Sequence, residues 1–468
     1  MNFASQSNYN VFIPLNQGRT LAYNTRTQAF SLWDNKDINI YKSATQESIN
    51  IEYPKLQDFV KGGYIVADSF DEKGEIEHEY NLQRESSGLL SLTILPTVSC
   101  NFGCDYCTQG ADKPHVKMFP EVQDAIVDFV ESKVSKIKIL SVNWFGGEPL
   151  LEPGIIRSLS DRLLEICNRE DIIYGSSIIT NGWFLNSQVD QDLYIRQVKS
   201  IQITLDGSEN FHDRRRHLLG GKPTFQKIIQ NIKEVVDTIP LSITIRINID
   251  ARNKTGIMAL IDDLVSEDLS GRDNLNIYFA PVESRTQECH QVCGSTMGKK
   301  DYGDLEVELY RYAYQKKLTV IPKPAQFSGI CTALKADDLV ILPNGDLHKC
   351  LETVSENHHK VGSIFALKNL VNDPHYQRWL NWSPFQEKTC TNCKLLPTCS
   401  GSCAQKYLNP ENLQGEAALP CPIWKYKLHE KLFWMAEEKG MVSRSTDWND
   451  EISATDPSSL KAGVKDSF

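Results

Sequence analysis

Cysteines grouped in two separate fields constrain this chain more than any other feature of its sequence. Three of the thirteen lie close together, at Cys100, Cys104 and Cys107, and nine more lie between residues 284 and 422. The first residues, MNFASQSNYNVF, contain neither the charged nor the apolar segment of a signal peptide, so we expect a cytoplasmic protein. Because disulfides are rare in the cytoplasm, the cysteines are predicted to bind metal.

The overall composition indicates a globular protein of two or three domains. Apolar residues make up 41% of the 468-residue chain and charged residues only 24%, which is enough to bury a large core. Lysine and arginine number 50 against 60 acidic residues, and the net charge of -10 disfavours nucleic acid as a partner, because phosphate binding needs a basic face. No apolar run approaches the roughly 20 residues that span a bilayer, so no membrane partner is expected.

Apolar, β-rich runs alternate with amphipathic helical stretches from residue 89 to residue 283. Helices are predicted over 121–132, 154–168 and 225–236, and each lies between two strand-like runs. Such alternation predicts a parallel sheet with crossover helices, and about six repeats predict a partial or full α/β barrel whose reactive groups lie at the C-terminal ends of the strands. The strand-like runs are LLSLTILP, IKILSVNWF, GSSIIT, SIQITLD, LSITIRINI and LNIYFAPV.

Residues 1–88, before this core, are predicted to form a small α+β domain. Strands are predicted at NVFIPL, TLAYN and AFSLW, followed by a short helix over 53–61 and a strand over 64–67. The acidic stretch over 71–88 is predicted to be a linker.

Residues after the core become rich in loops. Residues 284–330 are predicted to bridge the core to a loop-rich, cysteine-rich domain over 331–440, which ends in a helix over 422–438. The polar residues 441–468 are expected to be a loose tail.

The first cysteine field directly follows the strand-like run LTILP. Thiolates with three and then two residues between them can hold one face of a 4Fe–4S cluster and leave its fourth iron without a protein ligand. An iron left open can bind an exogenous ligand, which indicates catalysis. A three-cysteine zinc site and unrelated thiols are the alternatives; zinc prefers four protein ligands or a nearby histidine, and the nearest is His115.

This Cx3CxΦC segment, with Tyr106 as its aromatic residue, resembles the signature of the radical S-adenosylmethionine (SAM) family. The resemblance covers roughly residues 89–283 and implies a partial (β/α)6 barrel of the radical SAM type. It implies that Cys100, Cys104 and Cys107 are catalytic ligands of a 4Fe–4S cluster whose open iron binds SAM. Cleavage of SAM then gives a 5′-deoxyadenosyl radical that abstracts hydrogen from the substrate.

A second motif, Trp144–Pro149, resembles the GGEP motif of the same family. Gly146 and Gly147 let the backbone approach a ligand closely, and backbone carbonyls together with Glu148 can accept hydrogen bonds from an ammonium group. Alone this motif is a weak signal, but beside the cysteine motif it is a strong one.

A third segment, TLDG followed by HDRRR, resembles the (S/T)LDG…HD…R segment of the sulfatase-maturase-like branch. That resemblance implies SAM contacts from Thr204 and Arg216, and an arginine fork suits a carboxylate. For His212 a loop-bracing role is favoured over proton transfer, and for the two preceding arginines, 214 and 215, a solvated basic turn is at least as well supported. Further cofactor-binding candidates at strand ends are Thr180, Asn181, Arg246 and Asn248.

The second cysteine field resembles a SPASM domain, a C-terminal extension that binds two auxiliary 4Fe–4S clusters. The resemblance implies an outer cluster with four ligands and an inner cluster with three. Zinc knuckles are the alternative. The ligands of the outer cluster would be Cys390, Cys393, Cys399 and Cys421, and those of the inner cluster Cys331, Cys350 and Cys403.

The inner cluster therefore lacks one protein ligand. Either Cys289 or Cys293, from the stretch ECHQVC, closes it, or the site is open to substrate; buried structural thiols are the alternative for this pair. Cys167 lies on an apolar helix face and is predicted to be part of the core.

SPASM enzymes mostly modify ribosomally made peptides, so the resemblance implies a peptide maturase with three 4Fe–4S clusters and SAM. Its partners would be a precursor peptide, with leader and core, and an external electron donor such as a flavodoxin or ferredoxin. Crosslinking (thioether, carbon–carbon or cyclophane) is the favoured reaction, and epimerisation and splicing are alternatives. Formylglycine formation, as in anaerobic sulfatase maturases, is disfavoured because Leu351 and Glu352 follow Cys350 where that subgroup has Asp. A non-catalytic iron–sulfur scaffold or electron carrier is the rival of another class.

The N-terminal block resembles the front end of many peptide maturases. Such a block can be a winged-helix leader-recognition domain that captures an extended peptide at a sheet edge. The pattern of residues 1–88 does not predict three clear helices, so an incomplete version is equally supported. A plain cap on the barrel is the alternative.

Overall fold

The computed structural model describes residues 3–47, 49–85, 88–110, 113–322, 330–415, 420–449, 452 and 460–462. Among these residues no helix is both long enough and apolar enough to cross a membrane.

The N-terminal unit, residues 3–85, contains two small antiparallel sheets and three helices. Strands β2, β3 and β4 pair in that order, and β1 pairs with β5. Strands β2 to β5 confirm the four predicted strands, whereas β1 was not predicted. The strands are β1 (Ala4–Gln6), β2 (Asn10–Pro14), β3 (Thr20–Asn24), β4 (Phe30–Trp33) and β5 (Ile65–Ala67), and the helices are α1 (Asn35–Gln46), α2 (Gln57–Lys61) and α3 (Glu72–Glu85).

Two of these helices correct the sequence predictions. The predicted linker over 71–88 is wrong, because α3 occupies most of it and buries Glu72, Ile76 and Tyr80 at a spacing of four residues. Residues 86 and 87 lie outside the described residues. Helix α1 was not predicted at all; it begins at a capping box between Asp34 and Asp37 and buries little beyond Tyr41. The unit therefore does contain three helices.

Six parallel strands, paired in sequence order, form the partial barrel. All six predicted strand runs and all three predicted helices are confirmed. Helix α8 has the clearest pattern, with buried apolar residues from Phe225 to Val236 at helical spacing. The strands are β6 (Leu89–Thr97), β7 (Ile139–Gly146), β8 (Ile173–Thr180), β9 (Val198–Thr204), β10 (Ser242–Ile249) and β11 (Leu275–Pro281). The helices are α4 (Pro120–Glu131), α5 (Pro153–Arg169), α6 (Ser187–Ile195), α7 (Glu209–Arg215), α8 (Phe225–Val236) and α9 (Ile257–Ser266). Cys167 is buried in this core, as predicted.

The C-terminal region continues the barrel sheet. Its first strand, β12, pairs in parallel with β6, and β13 and β14 follow in antiparallel order, which gives nine described strands in one sheet. The strands are β12 (Leu339–Ile341), β13 (Asp346–His348) and β14 (Gly362–Ser363). The helices are α10 (Lys299–Gln315), α11 (Pro374–Asn381), α12 (Lys388–Thr391), α13 (Leu396–Cys399), α14 (Ala404–Leu408), α15 (Leu428–Glu438) and α16 (Arg444–Asp447).

Three predictions for this region need correction. The bridging region contains the 17-residue helix α10, which buries Tyr302 and Leu309. The predicted helix over 422–438 is interrupted, since a 3-10 turn at Ile423–Lys427 precedes α15. The tail is not wholly loose: α16 contacts the N-terminal unit through an ion pair of Asp447 with Arg19. Residues 450, 451, 453–459 and 463–468 of the predicted tail lie outside the described residues.

Candidate active site and cysteine centres

The C-terminal ends of the barrel strands open into a cavity of about 230 Å3. The structure brings the three cysteines of the first field together there with nine of the ten predicted cofactor-binding residues. Those nine are Tyr106, Gly146, Gly147, Thr180, Asn181, Thr204, Arg216, Arg246 and Asn248.

The loop that carries Cys100, Cys104 and Cys107 is held by backbone hydrogen bonds to the segment after α7. The Gly103 N–H donates to the His217 carbonyl at 3.0 Å, and the Leu219 N–H donates to the Asn101 carbonyl at 2.9 Å. Burial raises the pKa of Cys104 to about 12, so a metal that binds there must displace a proton. Three thiols at the wall of an open cavity are a donor set that fits a cluster with one open iron.

Gly146 and Gly147 are required by the backbone of the cysteine loop. A Cβ on Gly146 would collide with the Thr97 carbonyl, and a Cβ on Gly147 would collide with the Ser99 carbonyl. Gly146 also has a φ of 134°, which favours glycine. Close packing of β7 against this loop is therefore one physical reason for the two glycines, in addition to the ligand approach that the sequence predicted.

Glu148, the tenth predicted residue, lies behind the cavity wall and is fully buried. Its carboxylate accepts hydrogen bonds from the Thr180 hydroxyl at 2.7 Å and from the N–H groups of Asn181 and Leu150 at 2.7 and 3.0 Å. Burial raises the pKa of Glu148 to about 6, against the effect of these hydrogen bonds. Glu148 therefore positions the end of β8 through these hydrogen bonds. Its predicted contact with an ammonium group stays a prediction.

A polar network joins the cysteine loop to β10. The guanidinium of Arg216 donates to the Tyr106 hydroxyl at 2.7 Å, and the Asn248 amide donates to the same hydroxyl at 3.2 Å. Arg246 donates to the Asn248 side-chain oxygen at 2.7 Å and to the Tyr278 hydroxyl at 3.2 Å. Two guanidinium groups therefore face one cavity in fixed orientations, an arrangement that can bind a carboxylate.

Residues of the HDRRR segment have distinct environments. Arg214 is exposed, as predicted, but the prediction of a solvated turn is wrong for Arg215, which is buried. The Arg215 guanidinium lies 3.2 Å from Asp250 and 4.7 Å from the centre of the Tyr106 ring. Burial and the neighbouring arginines keep the pKa of His212 well below its usual value, and its ring contacts the Asp206 N–H and the Thr224 hydroxyl. These contacts support the bracing role for His212.

The four predicted outer ligands line one small cavity of about 20 Å3. Four thiols around one space are a donor set that fits a 4Fe–4S cluster as well as a tetrahedral zinc ion. The choice of a cluster over zinc therefore stays a prediction. The cysteines of this cavity are Cys390, Cys393, Cys399 and Cys421.

The thiols of Cys331 and Cys403 lie close enough to Cys350 to interact with it electrostatically. Burial raises the pKa of Cys350, and the nearby thiols of Cys403 and Cys331 raise it further. Cys289 has a different environment: its Sγ accepts hydrogen bonds from the N–H groups of Arg285 and Thr286, within its own turn. That environment favours a structural role for Cys289, and closure of the inner site by Cys289 or Cys293 stays a prediction.

Several residues of the main cavity were not predicted. Glu283 and Arg285 form an ion pair just after β11, and Arg285 lies 3.7 Å from Glu352, which follows Cys350. Glu283 also accepts from Lys406 at 2.9 Å. The position directly after a strand could have indicated Glu283 and Arg285. The remaining unpredicted polar residues of the wall are Thr108, Gln109, Lys113 and Gln202.

Residues 94–262 match the family model of the radical SAM superfamily. The chain is 22% identical over 352 residues to a serine-type anaerobic sulfatase-maturating enzyme of Bacteroides thetaiotaomicron, covering 65% of this chain and 80% of that protein. It is 23% identical over 401 residues to the radical SAM cyclopropyl synthase TigE of Paramaledivibacter caminithermalis, covering 80% and 78%. The fold is similar to that of Streptococcus suis SuiB bound to the precursor peptide SuiA, with a TM-score of 0.51, 14% identity, and coverage of 90% and 99%.

Proposed function

Residues 94–262 are a radical SAM domain, and from this premise we propose that the enzyme cleaves SAM reductively and modifies a ribosomally made precursor peptide. The observation that carries the proposal is the single cavity that joins the three-cysteine loop to the polar ends of the strands. A non-catalytic scaffold would not need arginines and an asparagine oriented toward the open side of the cysteine loop.

The cluster held by Cys100, Cys104 and Cys107 supplies, when bound, the electron that cleaves the sulfonium of SAM. The side chains around it bind and orient SAM. Arg216 and Arg246 offer guanidinium groups to the methionyl carboxylate. Backbone carbonyls at Gly146 and Gly147 accept hydrogen bonds from the ammonium group.

Two auxiliary clusters bring the total to three. The outer one is held by four cysteines and is closed by protein ligands. The inner one is held by Cys331, Cys350 and Cys403, and its neighbour Glu352 belongs to the wall of the main cavity. That proximity supports the alternative in which the inner site, when it holds a cluster, would be open to the substrate. Electrons come from an external donor such as a flavodoxin or ferredoxin.

The N-terminal unit captures the leader of the precursor at strand β4. In the described sheet β4 is an edge strand, with β3 on one side only. An extended peptide can add to such an edge by main-chain hydrogen bonds. Three helices and a three-stranded sheet support a recognition domain over the plain cap. The fold likeness to SuiB, which was solved with a precursor peptide, supports a peptide substrate.

Crosslinking of the core peptide is the favoured reaction. Formylglycine formation is the second candidate, because Glu352 lines the cavity next to Cys350 and so offers a carboxylate as proton acceptor in place of the missing Asp. The products differ, since a crosslink removes hydrogen and leaves two residues joined, whereas a formylglycine is an aldehyde.

One experiment tests the proposal in two steps. Reduced, reconstituted protein is incubated with SAM and with the peptide encoded beside its gene. We expect release of 5′-deoxyadenosine and a loss of two hydrogens from the peptide by mass spectrometry. Tandem mass spectrometry and an aldehyde-reactive hydrazide then separate a crosslink from a formylglycine. No release of 5′-deoxyadenosine under reducing conditions would contradict the enzymatic proposal. Release of 5′-deoxyadenosine without any change in the peptide would contradict the proposal that this peptide is the substrate.

A further inference from the structure

The N-terminal sheet is joined by buried hydrogen bonds to the loop that carries the outer cysteines. The Thr25 hydroxyl donates to the Lys394 carbonyl, and the Thr398 hydroxyl donates to the Thr25 carbonyl at 3.2 Å. Both threonines are buried. Because residues 394 and 398 lie between Cys393 and Cys399 in the sequence, these hydrogen bonds join the sheet to the segment that is predicted to bind the outer cluster.

Apolar packing joins the same two parts. Val11, Ile13, Leu21 and Tyr23, from β2 and β3, share one buried cluster with Cys393, Leu395 and residues of α15. Beside them Tyr9 packs with Cys390 and Leu396 in a second cluster. One face of the N-terminal sheet is therefore covered by α15 and by the outer cysteine loop, residues 390–403. This face would be exposed to water if the outer cysteine loop unfolded.

The outer cysteine loop has little secondary structure of its own to stabilise its conformation. Its helices α12 and α13 have four residues each, and Ser400 and Ser402 have positive φ values of 45° and 60°. The four outer thiols line one small cavity of about 20 Å3. Segments built in this way fold on binding a metal, because the metal links replace the missing core.

We propose that the outer four-cysteine site is a structural staple for the N-terminal unit, that is, a metal-dependent crosslink that holds this unit against the C-terminal region. When filled, it fixes residues 390–399 against β2 and β3 and so holds the β4 edge in place on the enzyme. Its effect on leader capture rests on the proposed function of that edge. Loss of the outer cluster then weakens peptide binding while SAM cleavage at the first cluster continues.

The test compares reconstituted full-length protein with the variants Cys399→Ala and Cys167→Ala. The second is a matched control, since Cys167 is a buried core cysteine outside both metal fields. In Cys399→Ala we expect hydrogen–deuterium exchange of β2 and β3 to become faster by about tenfold or more, with β7 and β8 unchanged. Iron content should fall by about a third. Loss of that iron with unchanged exchange in β2 and β3 would overturn the staple.

A variant that keeps every cysteine covers the case in which Cys399→Ala fails to fold. The pair Thr25→Val and Thr398→Val removes the hydroxyl contacts across the junction, together with the contact of the Thr25 hydroxyl with the Tyr9 carbonyl. We expect full iron content with faster exchange in β2 and β3, and unchanged exchange would overturn the proposal.

Peptide affinity separates this inference from the proposed function. Fluorescence anisotropy is measured with the labelled peptide encoded beside the gene. If the parent protein binds no peptide, leader capture is wrong, and the staple is judged by exchange alone. If the parent binds and Cys399→Ala binds equally well despite faster exchange, the coupling of the staple to leader capture is wrong.

Discussion

Arg216 donates a hydrogen bond to the Tyr106 hydroxyl at 2.7 Å and thereby links the barrel wall to the loop that carries the first cysteines. The same hydroxyl accepts from Asn248. A guanidinium oriented in this way loses little freedom when it meets a carboxylate, because its position is already set. Under the proposed function, Tyr106 therefore acts on SAM binding by orienting the Arg216 side chain.

Replacement of Tyr106 by Phe tests this relationship. The variant keeps the ring and removes the hydroxyl, so we expect all iron to remain and the KM for SAM to rise by roughly tenfold, since hydrogen bonds to charged groups contribute about 1.5–3 kcal/mol. The measurement is 5′-deoxyadenosine release against SAM concentration. Tyr314→Phe is the control, because its hydroxyl contacts Glu438 away from the cavity. An unchanged KM in Tyr106→Phe would show that Arg216 is oriented without it.

Iron content tests the assignment of clusters to the two cysteine fields. We expect about twelve irons per chain after anaerobic reconstitution, from three four-iron clusters. Replacement of Cys100, Cys104 and Cys107 together by Ala should remove about a third of the iron and all SAM cleavage. Continued formation of 5′-deoxyadenosine by that triple variant would show that the catalytic assignment is wrong.

Hydrogen–deuterium exchange tests leader capture at the sheet edge. Addition of the precursor peptide should slow exchange of amides in Phe30–Trp33, because an added strand pairs with them. The central strand β3 is the internal control and should not change. Deletion of residues 1–88 is a less clean test, since it also uncovers Leu395 and α15. Bound peptide with no protection in β4 would place the leader elsewhere.

The double variant Cys289→Ala, Cys293→Ala tests the fourth ligand of the inner cluster. Because the Cys289 thiol already accepts two N–H groups of its own turn, we expect the inner-cluster EPR signal and SAM cleavage to persist. A changed or lost inner signal, with the first cluster intact, would show that one of the pair closes the site. Cys167→Ala again serves as the control for removal of a thiol outside the fields.

Asp190 gives a pH-dependent prediction. It is fully buried in α6, no described residue donates a hydrogen bond to its carboxylate, and burial raises its pKa to about 7. The folded protein therefore holds this proton more tightly than the unfolded chain, so the contribution of Asp190 to stability falls as pH rises from about 4 to 7. We expect Asp190→Asn to raise the free energy of unfolding at pH 8 by roughly 1–3 kcal/mol, and by little at pH 4.

Thermal melting at pH 4 and pH 8 checks this expectation. Asp268→Asn is the control, because Asp268 is 91% exposed and an exposed carboxylate has little effect on stability. Equal stabilisation of Asp190→Asn at both pH values would contradict the argument.

The sequence predicted the barrel well because its strands and helices are marked by local apolar periodicity. It failed where polar residues form the element: α3 is rich in glutamate, and only three side chains are buried. It also could not place Glu148 behind the wall, because the partners of its carboxylate include the end of another strand, β8. Nor could it separate buried Arg215 from exposed Arg214, since the two are adjacent in a short helix. The junction between Thr25 and Lys394 spans 369 positions and leaves no local signal.

The pairing of β6 with β12 bears on how the chain is made. The Ser91 N–H donates to the Asp338 carboxylate at 2.8 Å across 247 positions. At about 5–20 residues per second, the ribosome needs roughly 12–50 s to deliver β12 after β6 has emerged. Throughout that interval one edge of the barrel sheet is an open template for strands of neighbouring chains. We therefore expect newly made molecules to be most prone to aggregate before most of the predicted cluster ligands have left the ribosome.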